Sequence, residues 1–285
     1  MVSLRNDGSM ISGTSTHPRL IHGRPPVPWM DADVEGADGE PVRLRVYEPV
    51  ARPAVTLVWA HGGSWTRGSI ESWHDACEAM AALGSARIIS VGYRLAPQWA
   101  HPTAVMDVAA ALQWSQQTFQ TPVLAGGDSA GGTLAAGAAL WFRDNRLHLD
   151  GLLLAYPPLD PECDAASYHH LGQPFPPRAM LREAWQDYAG TDEDLRALPY
   201  LSPVHVENLE GLCRTSLLVG PTDPVRDDVA HFAARLEAAS VPVSVCTDPA
   251  VFHGQFLDAA AHRINPVHGW VQAHLVQFTQ TPDIY

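Results

Sequence analysis

The chain has 285 residues, enough for one large domain or two small ones with a substantial core. Acidic residues outnumber basic ones 31 to 18, a formal net charge of -13, which disfavours nucleic acid and anionic membrane surfaces as partners. Four scattered cysteines (Cys77, Cys163, Cys213, Cys246) with no CxxC pair argue against a zinc site or disulfide framework, and no apolar run is long enough for a signal or a span, so the expected location is cytoplasmic.

In chain order, residues 1 to about 30 are polar and end in Arg24-Pro25-Pro26-Val27-Pro28, which reads as a loose arm. Strands over 29–34 and 41–47 flank Ala37-Asp38-Gly39, a hairpin signal. A buried strand over 54–60 precedes a helix over 72–83, with Gly84 as its C-cap. The alternation continues with a strand at 87–91, a helix at 102–117, a strand at 123–126, an alanine-rich helix at 130–143 and a strand at 152–156. From Pro157 to about Pro203 the rhythm breaks into a proline-rich excursion carrying Tyr168, Phe175, Trp185 and Tyr188, read as a lid over a site. A strand at 215–220, a helix at 227–239, a strand at 241–246 and a helix at about 266–280 complete the chain. Strand and helix alternating in this way imply a mostly parallel sheet with helices on both faces, organised as one α/β domain over 1–285.

Two loops carry chemistry. Gly127-Asp128-Ser129-Ala130-Gly131-Gly132 lies directly between a predicted strand and a predicted helix. A serine hydroxyl lifted above the sheet needs such a turn, with glycines that admit close backbone approach, and the following helix turns its positive end toward developing negative charge. His61-Gly62-Gly63-Ser64-Trp65 follows the strand ending at Ala60. Consecutive glycines there can aim backbone N–H groups at an oxygen that becomes anionic, with Ala130 as a further donor. A base must follow the last strand, which selects His253, with His268 as the alternative. The acid is expected after the strand ending at Gly220, at Asp223, with Asp160 as the alternative; Asp227 and Asp228 read as helix caps. Asp128 is expected to fix the elbow by hydrogen bonding.

HGGSW, Tyr93-Arg94-Leu95-Ala96-Pro97, GDSAGG, Asp223-Pro224-Val225-Arg226-Asp227-Asp228 and His253-Gly254, in this order, resemble the hormone-sensitive-lipase family of α/β-hydrolases. The resemblance implies the α/β-hydrolase fold and a serine carboxylesterase on short- to medium-chain esters of small molecules, with no metal or cofactor. It implies Ser129, Asp223 and His253 as catalytic residues and Gly62, Gly63 and Ala130 as the oxyanion hole. A substrate pocket from Ser64, Trp65, Asp128, Phe175, Trp185 and Tyr188 is the accompanying expectation, as is a homodimer through the last strand and helix. An amidase or formamidase, a biosynthetic acyl-transfer or cyclisation enzyme, and a catalytically retired ligand-binding protein remain the alternatives. The chain departs from the pattern at Ser64, where a third glycine is usual, at Gln98, at Gln255 between His253-Gly254 and Phe256, and in its short polar arm.

Overall fold

A computed structural model describes residues 11–13, 26–49, 52–84, 86–170, 175–190, 200–258 and 264–278. The strands are β1 (Ile11–Gly13), β2 (Trp29–Glu35), β3 (Pro41–Tyr47), β4 (Val55–Ala60), β5 (Ala86–Gly92), β6 (Val123–Asp128), β7 (Gly151–Ala155), β8 (Thr215–Val219) and β9 (Val243–Thr247). They form one sheet in the order β1-β2-β3-β5-β4-β6-β7-β8-β9. The first three strands run antiparallel, and from β5 to β9 every pairing is parallel. Every residue of β4, β6, β7 and β8 is buried, as continuous apolar runs such as Val55-Thr56-Leu57-Val58-Trp59-Ala60 require when helices cover both faces.

Four helices supply crossovers between sheet strands: α1 (His74–Leu83), α2 (Thr103–Thr118), α3 (Ala130–Asp144) and α6 (Arg226–Ala238). Because these strands pair in parallel, the carboxyl ends of β4, β6, β7, β8 and β9 share one edge of the sheet. At that edge Ala60 pairs with Gly127, which sets the loop after β4 beside the turn after β6.

The Gly127 and Gly131 positions follow from this approach. A Cβ on Gly127 would sit 2.4 Å from the Gly131 carbonyl, and one on Gly131 would sit 2.0 Å from the Ala60 oxygen. Strand β4, strand β6 and the first turn of α3 therefore touch backbone to backbone.

Several elements depart from the expectation drawn from sequence. Within the arm, Ile11–Gly13 pairs with β2; residues 1–10 and 14–25 lie outside the described residues. Gly84 does end α1, but in extended rather than left-handed backbone; its role is space, since a Cβ there would lie 1.9 Å from the Gln272 side chain of α7 (Pro266–Leu275). The 157–203 excursion contains α4 (Ser167–His170) and α5 (Arg178–Ala189), whose Leu181, Ala184, Trp185 and Tyr188 are buried; residues 171–174 and 191–199 lie outside the described residues. The last helix closes at Leu275, followed by a 3₁₀ turn over Val276–Phe278; the expected end near 280 lies outside the described residues. Asp227 and Asp228 do not cap α6. Their carboxylates reach across to Ser167 N and to Leu159 N, Asp160 N and the Tyr168 hydroxyl, tying the root of the excursion to the first turn of α6.

Adding one methyl where no room exists tests the backbone contact. Gly127→Ala is expected to lower the thermal unfolding midpoint by about 5 °C or more, consistent with an overpacking cost of about 1–3 kcal/mol. An unchanged midpoint in differential scanning calorimetry would contradict the close approach.

Candidate active site

Ser129 is the single residue between β6 and α3, and it holds φ 50 and ψ -125, a conformation that costs a non-glycine residue on the order of 1–3 kcal/mol. Its amide donates to Ala155 O on β7 and its carbonyl accepts from Gly132 N, so neighbouring backbone fixes the strained turn. The hydroxyl lies 2.7 Å from His253 Nε2, and His253 Nδ1 lies 3.0 and 3.1 Å from the two carboxylate oxygens of Asp223. Since a carboxylate only accepts, Nδ1 carries the proton and Nε2 is left as the acceptor for the serine. Asp223 is buried and also accepts from Val225 N. The sequence-expected trio is thus brought together from the ends of β6, β8 and β9.

The alternatives lie elsewhere. His268 Nε2 contacts Phe256 O, and Asp160 accepts from Glu162 N with His205 beside it.

Behind the serine, Asp128 is buried and its Oδ1 receives three N–H groups: Trp59 Nε1 at 3.0 Å, Trp73 Nε1 at 3.1 Å and Gly62 N at 3.2 Å. Burial pushes its carboxyl up to about 6, against the lowering effect of those three donors. Gly62 therefore differs from the oxyanion expectation, because its amide is directed into Asp128. The amides of Gly63 and Ser64 have no acceptor among the described residues, and Ala130, as the first residue of α3, has no intrahelical one.

Tyr93 and His61 support this loop from beneath. The Tyr93 hydroxyl donates to His61 O at 2.8 Å, and its ring stacks on His61 with centroids 4.2 Å apart. His61 Nδ1 donates to Gly62 O at 2.6 Å, and burial holds the imidazole down at about 4, so it stays neutral as a strut. The Tyr93-Arg94-Leu95-Ala96-Pro97 segment, which sequence reasoning used only as a marker, also receives the loop through Ala96 N to Trp65 O.

The expected pocket is only partly assembled. Trp65, Trp185 and Tyr188 are fully buried, with Trp65 stacked on Tyr188 (5.0 Å, 6°) and tilted against Trp185 (4.3 Å, 43°). They pin α5 to the loop after β4 instead of offering surface to a ligand, and Asp128 is likewise enclosed. Phe175 is different: it is 62% exposed, and its ring stands edge-on to His253 at 6.2 Å. Ser64 is half-buried. Among the described residues no group of three His, Cys, Asp or Glu side chains is placed to hold a metal ion.

Known proteins resemble this chain both in sequence and in structure. The sequence profile of a family described as alpha/beta hydrolase fold matches residues 57–257. LipN, a carboxylic ester hydrolase of Mycobacterium tuberculosis, is 31% identical over an alignment covering 93% of this chain and 77% of that protein. An ethyl acetate hydrolase of Pseudomonas putida is 29% identical, covering 94% of this chain and 87% of its own. The structure of a bacterial heroin esterase superposes with a TM-score of 0.78 at 30% identity, over 89% of this chain and 83% of that one.

The three donors converging on one oxygen make a sharp prediction for position 128. Asp128→Asn retains an oxygen for them and is expected to keep the fold, whereas Asp128→Ala strands them and should cost about 3 kcal/mol or more in urea unfolding. The pH dependence has a definite sign. With the folded carboxyl near 6 and the unfolded one near 3.8, the folded state binds the extra proton between these values, so this group makes stability fall as pH rises from about 4 to 6. Asp128→Asn should lack that decline relative to the wild type.

Proposed function

The chain belongs to the alpha/beta-hydrolase family whose profile it matches and is a serine hydrolase acting on carboxylic esters, and from that premise we propose that Ser129, His253 and Asp223 carry the reaction. The observation behind this reading is the relay from the Ser129 hydroxyl through His253 to Asp223. His253 removes the hydroxyl proton as Ser129 Oγ attacks the ester carbonyl. Asp223 holds the imidazole in the required tautomer and stabilises the imidazolium. The carbonyl oxygen gains negative charge and is stabilised by the amides of Gly63, Ser64 and Ala130, a set displaced by one residue from the Gly62–Gly63 pair because Gly62 is engaged by Asp128. Collapse of the intermediate expels the alcohol, which takes its proton from His253. Water then enters by the same route, and the acid and free Ser129 are released.

The substrates are small or medium-sized esters. The M. tuberculosis and P. putida relatives, a carboxylic ester hydrolase and an ethyl acetate hydrolase, support that class. Phe175 beside His253 supports an apolar group next to the scissile bond. The excursion carrying α4 and α5 acts as a cap over the site. Four free cysteines support a reducing, cytoplasmic setting, and no helix among the described residues is long and apolar enough to cross a membrane. The outer edge of β9, with Val245 exposed, supports a homodimer joined along that strand.

The test is hydrolysis of p-nitrophenyl esters of increasing acyl length. The wild type should turn over acetate and butyrate and be labelled at Ser129 by a fluorophosphonate. Ser129→Ala should lose about 10⁵-fold or more in kcat and take no label, and Asp223→Asn should lose about 10⁴-fold. Turnover by Ser129→Ala at the wild-type rate would overturn the assignment.

A further inference from the structure

The base reaches its place by a long route. Strands lie about 4.8 Å apart, so β9 and β6 are separated by about 14 Å across the sheet. The segment after β9 must cross the ends of β8 and β7 before His253 can meet Ser129. It continues until the Phe256 ring stacks on Trp59 of β4, with centroids 4.8 Å apart and planes at 16°. Apart from one 3₁₀ turn over Gln255–Leu257, nothing regular stiffens this crossing.

Tyr156 stands midway beneath it, immediately after β7. Its backbone holds φ 39, an outlier for a bulky side chain, and its amide donates to Leu218 O at 2.6 Å. This conformation turns the phenol under the crossing segment. The ring lies against the His253 imidazole (4.9 Å, 48°), and the hydroxyl oxygen accepts the Phe256 N–H at 2.8 Å. Tyr156 is fully buried, and burial, with the nearby Asp128 and Asp223 charges, keeps the phenol neutral. Strain at a residue held by two hydrogen bonds and a ring contact indicates a role beyond packing.

We propose that Tyr156 is a positioning residue for the catalytic base: its hydroxyl tethers the Phe256 amide and its ring supports the His253 imidazole, holding Nε2 within reach of Ser129. The proposal rests on the reading of Ser129, His253 and Asp223 as the catalytic relay. The Tyr156 side chain is fully buried and its hydroxyl is engaged by Phe256 N, whereas the Ser129 hydroxyl meets His253, so Tyr156 acts through His253. A base displaced by a fraction of an ångström still allows the ester to bind, so the loss falls on turnover.

Tyr156→Phe keeps the ring and removes the tether. With p-nitrophenyl butyrate, kcat is expected to fall about tenfold to a hundredfold while KM stays within twofold, and fluorophosphonate labelling of Ser129 should slow in parallel. The low-field proton resonance of the His253–Asp223 hydrogen bond should broaden or vanish in the variant. Unchanged kcat with an unchanged resonance would overturn the proposal, as would a loss confined to thermal stability. A measurement on the wild type alone is independent of whether the variant folds: the Phe256 amide should exchange slowly with solvent, and exchange at the rate of an open loop would refute the tether. Should the wild type neither turn over esters nor take the label, the esterase reading fails, while the resonance and the amide exchange still report on the tether.

Discussion

A buried carboxylate without a cationic partner organises the catalytic edge. Taking an ionised Asp128 out of water is costly by several kcal/mol, and among the described residues no arginine pairs with it. What offsets the cost is the convergence of Trp59 from β4, Trp73 from the segment before α1 and Gly62 from the loop after β4. None of the three can move without leaving a buried donor or the carboxylate unsatisfied. The position of the loop after β4 relative to Ser129 is thus set by hydrogen-bond satisfaction, and the strained Ser129 backbone is held by its bonds to Ala155 O and Gly132 N.

This constraint explains which parts of the site were legible in sequence. The convergence of Ser129, Asp223 and His253 was legible because strand order and motif order coincide: each follows a strand whose carboxyl end lies on the shared edge. The glycines of the elbow were legible for the same reason, as close backbone approach admits nothing larger. The engagement of the Gly62 amide was not legible, because its direction depends on a carboxylate 66 residues away and no local pattern encodes that contact. Asp227 and Asp228 misled in the same manner. Their place at the start of α6 suggested caps, but burial of Asp228 directs its carboxylate to the Leu159 and Asp160 amides.

The aromatic residues of the 157–203 excursion show a different limit. Their abundance indicated a site, and the site is adjacent, but Trp185 and Tyr188 are used to hold α5 against Trp65. Composition reveals that large apolar side chains must be covered; it does not reveal whether protein or ligand covers them. Phe175, the member left exposed beside His253, could be distinguished only once the backbone path was known.

These contacts form one continuous structure through side chains. From Asp128 the connection passes to Trp59, from Trp59 to the stacked Phe256 ring, and from the Phe256 amide to the Tyr156 hydroxyl under His253. Asp128, beside Ser129, and Phe256, near His253, therefore share a support, although Asp128 ends β6 and Phe256 follows β9, three positions apart in the sheet. Asn265 closes the far side by donating to Gln255 O and Asp258 O and capping α7 through Val267 N. A loop with so little regular structure would otherwise open at small free-energy cost, as exposed connections usually do. Its order is supplied by Trp59 of β4, Tyr156 just after β7 and Asn265 just before α7, so the alignment of His253 is a property of the sheet edge as a whole.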